Sequence, residues 1–210
     1  MSFIIGGGVV FGYSVLKIHT SPQITPVPKK TTPSTFSIEK PPSESLKGSI
    51  ASRSGTLLWE SRTATIPATL TNDVPIQQGE RLITENDGSA TVNFDSVGTI
   101  MFSQNADLSF VQTLPVNFVV QQQKGTVNYM INSNTPLSVR VRSALITKTS
   151  GTIQVTVTDD DPIILISTIK GPAQIGFNDL DYVSQVFTLR ENQVYEYNSD
   201  EHTAVNTKNK

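Results

Sequence analysis

Residues 79–110, GERLITENDGSATVNFDSVGTIMFSQNADLSF, decide the fold class. Three short runs in this stretch alternate apolar and polar residues, and each closes on a glycine or asparagine turn. Ala90, Val92 and Phe94 fall on one face of an extended chain; Ile100 with Phe102, and Leu108 with Phe110, do the same on the next two runs. Side chains of a strand repeat every second residue, so the pattern means strands with one buried face. No cluster of acids, bases, thiols or imidazoles lies among them. The stretch specifies architecture and names no ligand.

The same pattern extends outward from about Ile50 to Asn198. Turn residues recur at Asn72-Asp73, Asp87-Gly88, Gly98, Gly125, Gly151, Gly171 and Asn192. That spacing is close to the roughly 8–12 residues of sandwiches, barrels and β-solenoids. Leu137, Val139 and Val141 alternate, as do Ile153, Val155 and Val157. Ile163 to Ile166 is an unbroken apolar run, which predicts a strand buried on both faces. Arg140 and Arg142 alternate with valines and are expected on one solvated side of a strand. No window of a dozen residues carries a helical stripe. The predicted fold is all-β, a solenoid or sandwich of many short strands over 49–199, and the polar residues 200–210 are predicted to fray.

Two different segments precede this region. Residues 21–48 hold Pro22, Pro26, Pro28, Pro33, Pro41 and Pro42 among Ser, Thr and Lys. Prolines remove backbone donors and favour polyproline II, and little apolar surface offsets the entropy of folding. This reads as a semi-rigid linker of about 80 Å if extended; a ligand for a proline-recognition domain is the competing reading. Within 1–20, Phe3 to Leu16 is uncharged and mostly apolar. As a helix it spans about 21 Å, against about 30 Å for the hydrocarbon core. A membrane anchor helix is the leading expectation; a cleaved export signal and a buried element of the domain are the others. Lys17, Lys29 and Lys30 follow the run, which by the positive-inside rule opposes an extracytoplasmic β domain. Missing upstream residues would remove that conflict.

Composition narrows function. Of 210 residues, 37% are apolar and 16% charged, with Ser, Thr, Asn and Gln making up the difference, as on the exposed faces of sheets in β-rich extracellular or cell-surface proteins. The net charge of -2 gives nucleic acid no electrostatic handle. With no cysteine, a disulfide, a thiolate metal site and a cysteine nucleophile are all excluded.

Taken together, the β region resembles the FecR-type domain of bacterial envelope proteins. The resemblance rests on Gly79-Glu80-Arg81-Leu82-Ile83-Thr84, on Gly88 to Phe94, on Ser150-Gly151-Thr152-Ile153-Gln154-Val155, on Ile164 to Ile169 with Gly171 and Ala173-Gln174-Ile175, and on Leu189 before Asn192-Gln193. It covers roughly residues 55–197. Asp95 and Gly98 are separated where the family has them adjacent, so a longer turn or a bulge is expected. Asn192 replaces a glycine, which suits a positive φ. The resemblance implies an extracytoplasmic, non-enzymatic β domain. Sigma-factor regulation is not carried over, because only Met1 and Ser2 precede the apolar run.

The search for chemistry yields no catalytic, cofactor-binding or metal-ligating residue. His19 borders the linker and His202 the tail, so neither is expected in a Ser-His-Asp triad or a zinc site. Asp159-Asp160-Asp161-Pro162 and Asn178-Asp179-Leu180-Asp181 read as turns, with a surface Ca²⁺ site as the alternative. Glu60, Glu80, Asp95 and Asp107 are the acids a glycosidase would draw on, and surface acids are the default. Trp59 is read as core rather than a sugar-stacking platform. The function expected is protein–protein contact by a membrane-anchored sensor, adaptor or scaffold. The alternative is a polysaccharide or cell-wall polymer binding module, which would show Tyr129, Tyr182, Tyr195 and Tyr197 as an exposed row.

Overall fold

The computed structural model describes residues 40–132 and 135–207. The expected anchor helix, and the proline-rich linker up to residue 39, lie outside the described residues. Among the described residues no helix is long and apolar enough to cross a membrane.

Among the described residues sixteen strands follow one another: β1 (Ser49–Ser54), β2 (Leu57–Glu60), β3 (Ala68–Thr69), β4 (Arg81–Thr84), β5 (Ser89–Phe94), β6 (Gly98–Phe102), β7 (Asp107–Leu114), β8 (Asn117–Ile131), β9 (Leu137–Val141), β10 (Ala144–Lys148), β11 (Gly151–Val157), β12 (Ile163–Lys170), β13 (Ala173–Asn178), β14 (Ser184–Leu189), β15 (Val194–Asn198) and β16 (Thr203–Asn206). The alternation read from the sequence is the burial pattern observed. Ala90, Val92, Phe94, Ile100, Phe102, Leu108 and Phe110 all point into one core.

The strands form two layers that share β8. One layer runs β14-β13-β10-β9-β8-β7-β4-β2-β3, the other β16-β15-β12-β11-β8-β6-β5-β1. The first half of β8 pairs with β7 and, in parallel, with β9. From Gly125 onward it pairs with β6 and β11 instead. Gly125 sits at the crossing with φ +81°, and a Cβ there would lie 2.3 Å from the Cα of Ala106. Only glycine combines that conformation with so close an approach. Facing rings join the layers: Phe94 of β5 meets Phe118 of β8 edge-on at 4.7 Å, and Phe177 of β13 meets Tyr197 of β15 at 4.8 Å.

The expected all-β class is the one formed, with the sixteen described strands joined through β8. Nearly every pairing is antiparallel, and the only parallel one among the described strands is β8 with β9. A solenoid would stack successive coils in parallel. Three further readings are corrected. Ile163 to Ile166 is not buried on both faces: Ile164 and Ile166 point inward, whereas Leu165 is exposed. An unbroken apolar run cannot reveal that its outer members merely cover a solvated face. Arg142 does not share a strand face with Arg140, because β9 ends at Val141 and Arg142 occupies the following turn at φ +49°. Finally, Thr203–Asn206, within the predicted tail, pairs with β15 as β16. At the other end, Leu46 and Gly48 already bond to Thr113 and Ile76, so the folded region begins before residue 49. The turn at 95–97 and the positive φ of Asn192 are as expected.

Candidate functional site

Register places the chain's point of arrival and four of its turns at opposite ends of the two-layered sheet. Ser49 pairs with Asn93 beside the β5–β6 turn, where Gly98 and Gly151 both oppose Ile131. At the far end of the same layer Val157 opposes Gly125. The turns at 142–143, 158–162, 179–183 and 199–202 lie at that far end, and they are bonded to one another. Arg142 donates to Ser199 Oγ at 2.9 Å and to the Thr158 carbonyl at 3.1 Å. The Ser199 amide donates to the Pro162 carbonyl at 2.9 Å. Ser143 and Tyr197 share a hydroxyl–hydroxyl bond of 2.6 Å, and His202 Nδ1 lies 2.7 Å from the Asn178 carbonyl.

Each of these turns holds one non-glycine residue in the left-handed region: Arg142 (φ +49°), Asp160 (+59°), Tyr182 (+61°) and His202 (+50°). Elsewhere among the described residues, positive φ is met only by glycine and by Asn105 and Asn192. A side chain in this conformation costs on the order of 1 kcal/mol relative to glycine, least for Asp and Asn. Arg142 and His202 use their side chains to bond neighbouring turns, which offsets part of that cost.

A shallow pocket of about 250 Å³ opens among the turns, lined by Ser143, Asn178, Asp179, Leu180, Tyr182 and His202. It brings together the residue types of a nucleophilic triad, and it places His202 in a site rather than in a tail. Their hydrogen bonds, however, run to other partners. Asp179 accepts from Gln185 Nε2 at 2.7 Å and from the amides of Val183 and Asp181 at 2.9 and 3.1 Å. Gln185 and the Val183 amide hold its carboxyl below the usual carboxylate range. Ser143 is engaged by Tyr197, and His202 by a carbonyl. The arrangement braces turns, and Leu180 and Tyr182 stand out from it into solvent, Tyr182 at 87% exposure.

The other sequence candidates disperse. Arg81 forks onto Asp107 at 2.7 and 2.5 Å and reaches Glu60 at 3.1 Å, tying β2, β4 and β7 together. Glu80 accepts from the Gln77 amide and from Trp59 Nε1, and burial pushes its carboxyl up. Trp59, half-buried against the core, fits the packing role read for it. Asp95 accepts from the Asn93 amide on an exposed turn. Asp161 caps the Ile163 amide, and Asp159 faces Lys124 Nζ at 3.5 Å. Among the described residues no group of three potential ligands could hold a metal. The tyrosines form no row: Tyr129 and Tyr197 are buried, Tyr195 is half-buried and Tyr182 stands exposed.

One residue escaped the sequence reading. Lys148 is 1% exposed, and its ammonium donates to three carbonyls, Lys170 at 2.6 Å, Gly171 at 2.8 Å and Pro172 at 2.9 Å. The three N–H groups match three acceptors, which clamps the β12–β13 turn. Burial still pushes its pKa down. The signal was present, since Ala144 and Ile146 set the inward parity of β10 and position 148 continues it.

No family model matches the sequence, and no curated protein matches it. Two crystal structures are similar in shape, both of a putative anti-sigma factor from Parabacteroides distasonis ATCC 8503. One has a TM-score of 0.49 at 13% identity, covering 60% of this chain and 57% of that one. The other has a TM-score of 0.39 at 16% identity, covering 60% and 53%. The likeness thus spans little more than half of those chains, and at this level it assigns neither family nor function.

Proposed function

We propose that this protein is a non-enzymatic, extracytoplasmic contact module, held at the cell membrane by its apolar first segment and set off from it by the proline-rich linker. In this reading the turn end binds another protein, as in a sensor, adaptor or scaffold. The observation that carries it is the turn end itself. Four turns, cross-bonded and conformationally costly, hold Leu180 and Tyr182 out in solvent at the end away from the chain's arrival. Exposed aromatic and apolar side chains on a rigid frame are what protein contacts use as anchors. The polar groups beneath are occupied in bracing the turns, which suits recognition better than turnover.

A polysaccharide-binding role is the second reading, favoured by exposed Tyr182 beside Asn178. Proximity labelling in the native cell separates the two, using wild type and Tyr182→Gly. Glycine accepts φ +61° without strain, so the variant keeps the turn and loses the anchor. A protein neighbour labelled by wild type and lost with Tyr182→Gly is the expected result. Equal labelling by both would refute the role of this end. Binding of wild type to purified cell-wall polymer, abolished in the variant, would establish the second reading instead.

A further inference from the structure

A sheet edge exposes a row of unpaired N–H and C=O groups, and proteins normally blunt it with shortness, charge or a bulge. Among the described strands the two layers have four edges. β3 is two residues long and β16 four. β1 carries Arg53 and a register shift between Ile50 and Ser52. β14 has none of these devices. It pairs with β13 in unbroken register from Ser184 to Leu189. From Tyr182 to Leu189 the sequence YVSQVFTL contains no charge, no proline and no glycine. Val186 in its middle is 66% exposed.

The free edge is also self-complementary. The Asp179 amide donates to the Val183 carbonyl, which closes a hydrogen-bonded pair with β13. Bonded and non-bonded pairs alternate along an antiparallel ladder, so the backbone groups of Ser184, Val186 and Thr188 point away from β13. A two-fold axis through Val186 sets Ser184 opposite Thr188 and Val186 opposite itself, with all three outward residues bonded. On the solvent face, hydroxyl meets hydroxyl and valine meets valine, both favourable cross-strand pairs. On the other face Gln185 meets Phe187. No charge confronts a like charge anywhere along the strand.

We infer that β14 is a self-association edge, at which a second copy of this chain adds antiparallel to make one layer continuous across a dimer. The edge strand leads directly out of the turn that carries Tyr182, but the inference rests on Ser184 to Leu189 and stands whether or not the turn end binds a partner.

The chain has no cysteine, so single introduced thiols report register cleanly. The test uses the full 210-residue chain in a density-matched detergent. Across the axis the two Val186 Cα atoms would be about 5.5 Å apart, within disulfide reach. The two Ser184 Cα atoms would be roughly 14 Å apart, outside it. Mild oxidation by diamide is expected to cross-link Val186→Cys into a reducible dimer and to leave Ser184→Cys uncross-linked. Sedimentation equilibrium is expected to give a dimer for wild type, with Val186→Lys weakening association at least about tenfold by opposing two like charges. Unchanged circular dichroism would show that the lysine variant is folded. A monomeric wild type, equal cross-linking of the two thiols, or a dimer that survives Val186→Lys would each overturn the inference. The last result would place association elsewhere, for instance in the apolar first segment.

Discussion

At the scale of single residues, the informative side chains are polar ones placed where water is scarce. Burial lifts the Glu80 carboxyl above its ordinary 4.5, against the opposing hydrogen bonds from Gln77 and Trp59. The folded state therefore holds this proton to higher pH than the unfolded chain does. The stabilising contribution is present below the unfolded value and is lost as pH rises through the folded one. Urea unfolding from about pH 4 to pH 8 should show wild type losing stability relative to Glu80→Gln as pH rises; parallel profiles would contradict the assignment. The Arg81 fork makes a second test. Arg81→Met leaves Asp107, itself buried, without its cation and should cost about 2–3 kcal/mol in chemical denaturation. Adding Asp107→Leu should restore part of that loss, because the penalty is the orphaned charge and not the missing contact.

At the scale of elements, β8 is the strand on which the architecture turns. Its first half serves one layer and its second half the other, and the switch falls at Gly125. Gln122 fills the interior of the bend, donating to the carbonyls of Gly125 and Val155, while the Tyr129 hydroxyl donates to Gln122 Oε1 at 2.9 Å. Gly125→Ala would set a methyl against the backbone of Ala106 at a positive φ. A loss of about 2–4 kcal/mol is expected, more than glycine-to-alanine strain alone, because backbone must move on both strands. Thermal unfolding measures it, and a loss below about 1 kcal/mol would mean that the bend can relax.

At the scale of the whole molecule, the centre of each layer is covered on both sides by neighbouring strands and its rims are not. β8 and β11 lie inside the ladder, whereas β16 and β3 each have one partner. Hydrogen exchange should accordingly be slowest at Val127, Tyr129 and Val155 and fastest in β3 and β16. Early exchange throughout β8 would show that the two layers open separately. Seven of the fifteen pairings among the described strands join strands that are not consecutive in the chain, β1 with β5 and β8 with β11 among them, so folding must close long loops before those pairings reward it.

Much of this was legible in the chain itself. Period-two alternation fixed which of Ala90, Val92, Phe94, Ile100 and Phe102 face inward, because strand geometry is local and the pattern repeats it. The same local logic marked Asn192 as a residue able to take positive φ. Thr203 to Asn206 misled because a strand of four residues is too short to carry a periodic signal and gains its pairing only from a partner already in place. Which layers face each other, that β8 belongs to both, and that Ser143, Asp179, Tyr182 and His202 share one pocket were decided by tertiary structure. Those are relations between segments far apart in sequence, and long-range pairing carries no periodic trace in either segment alone.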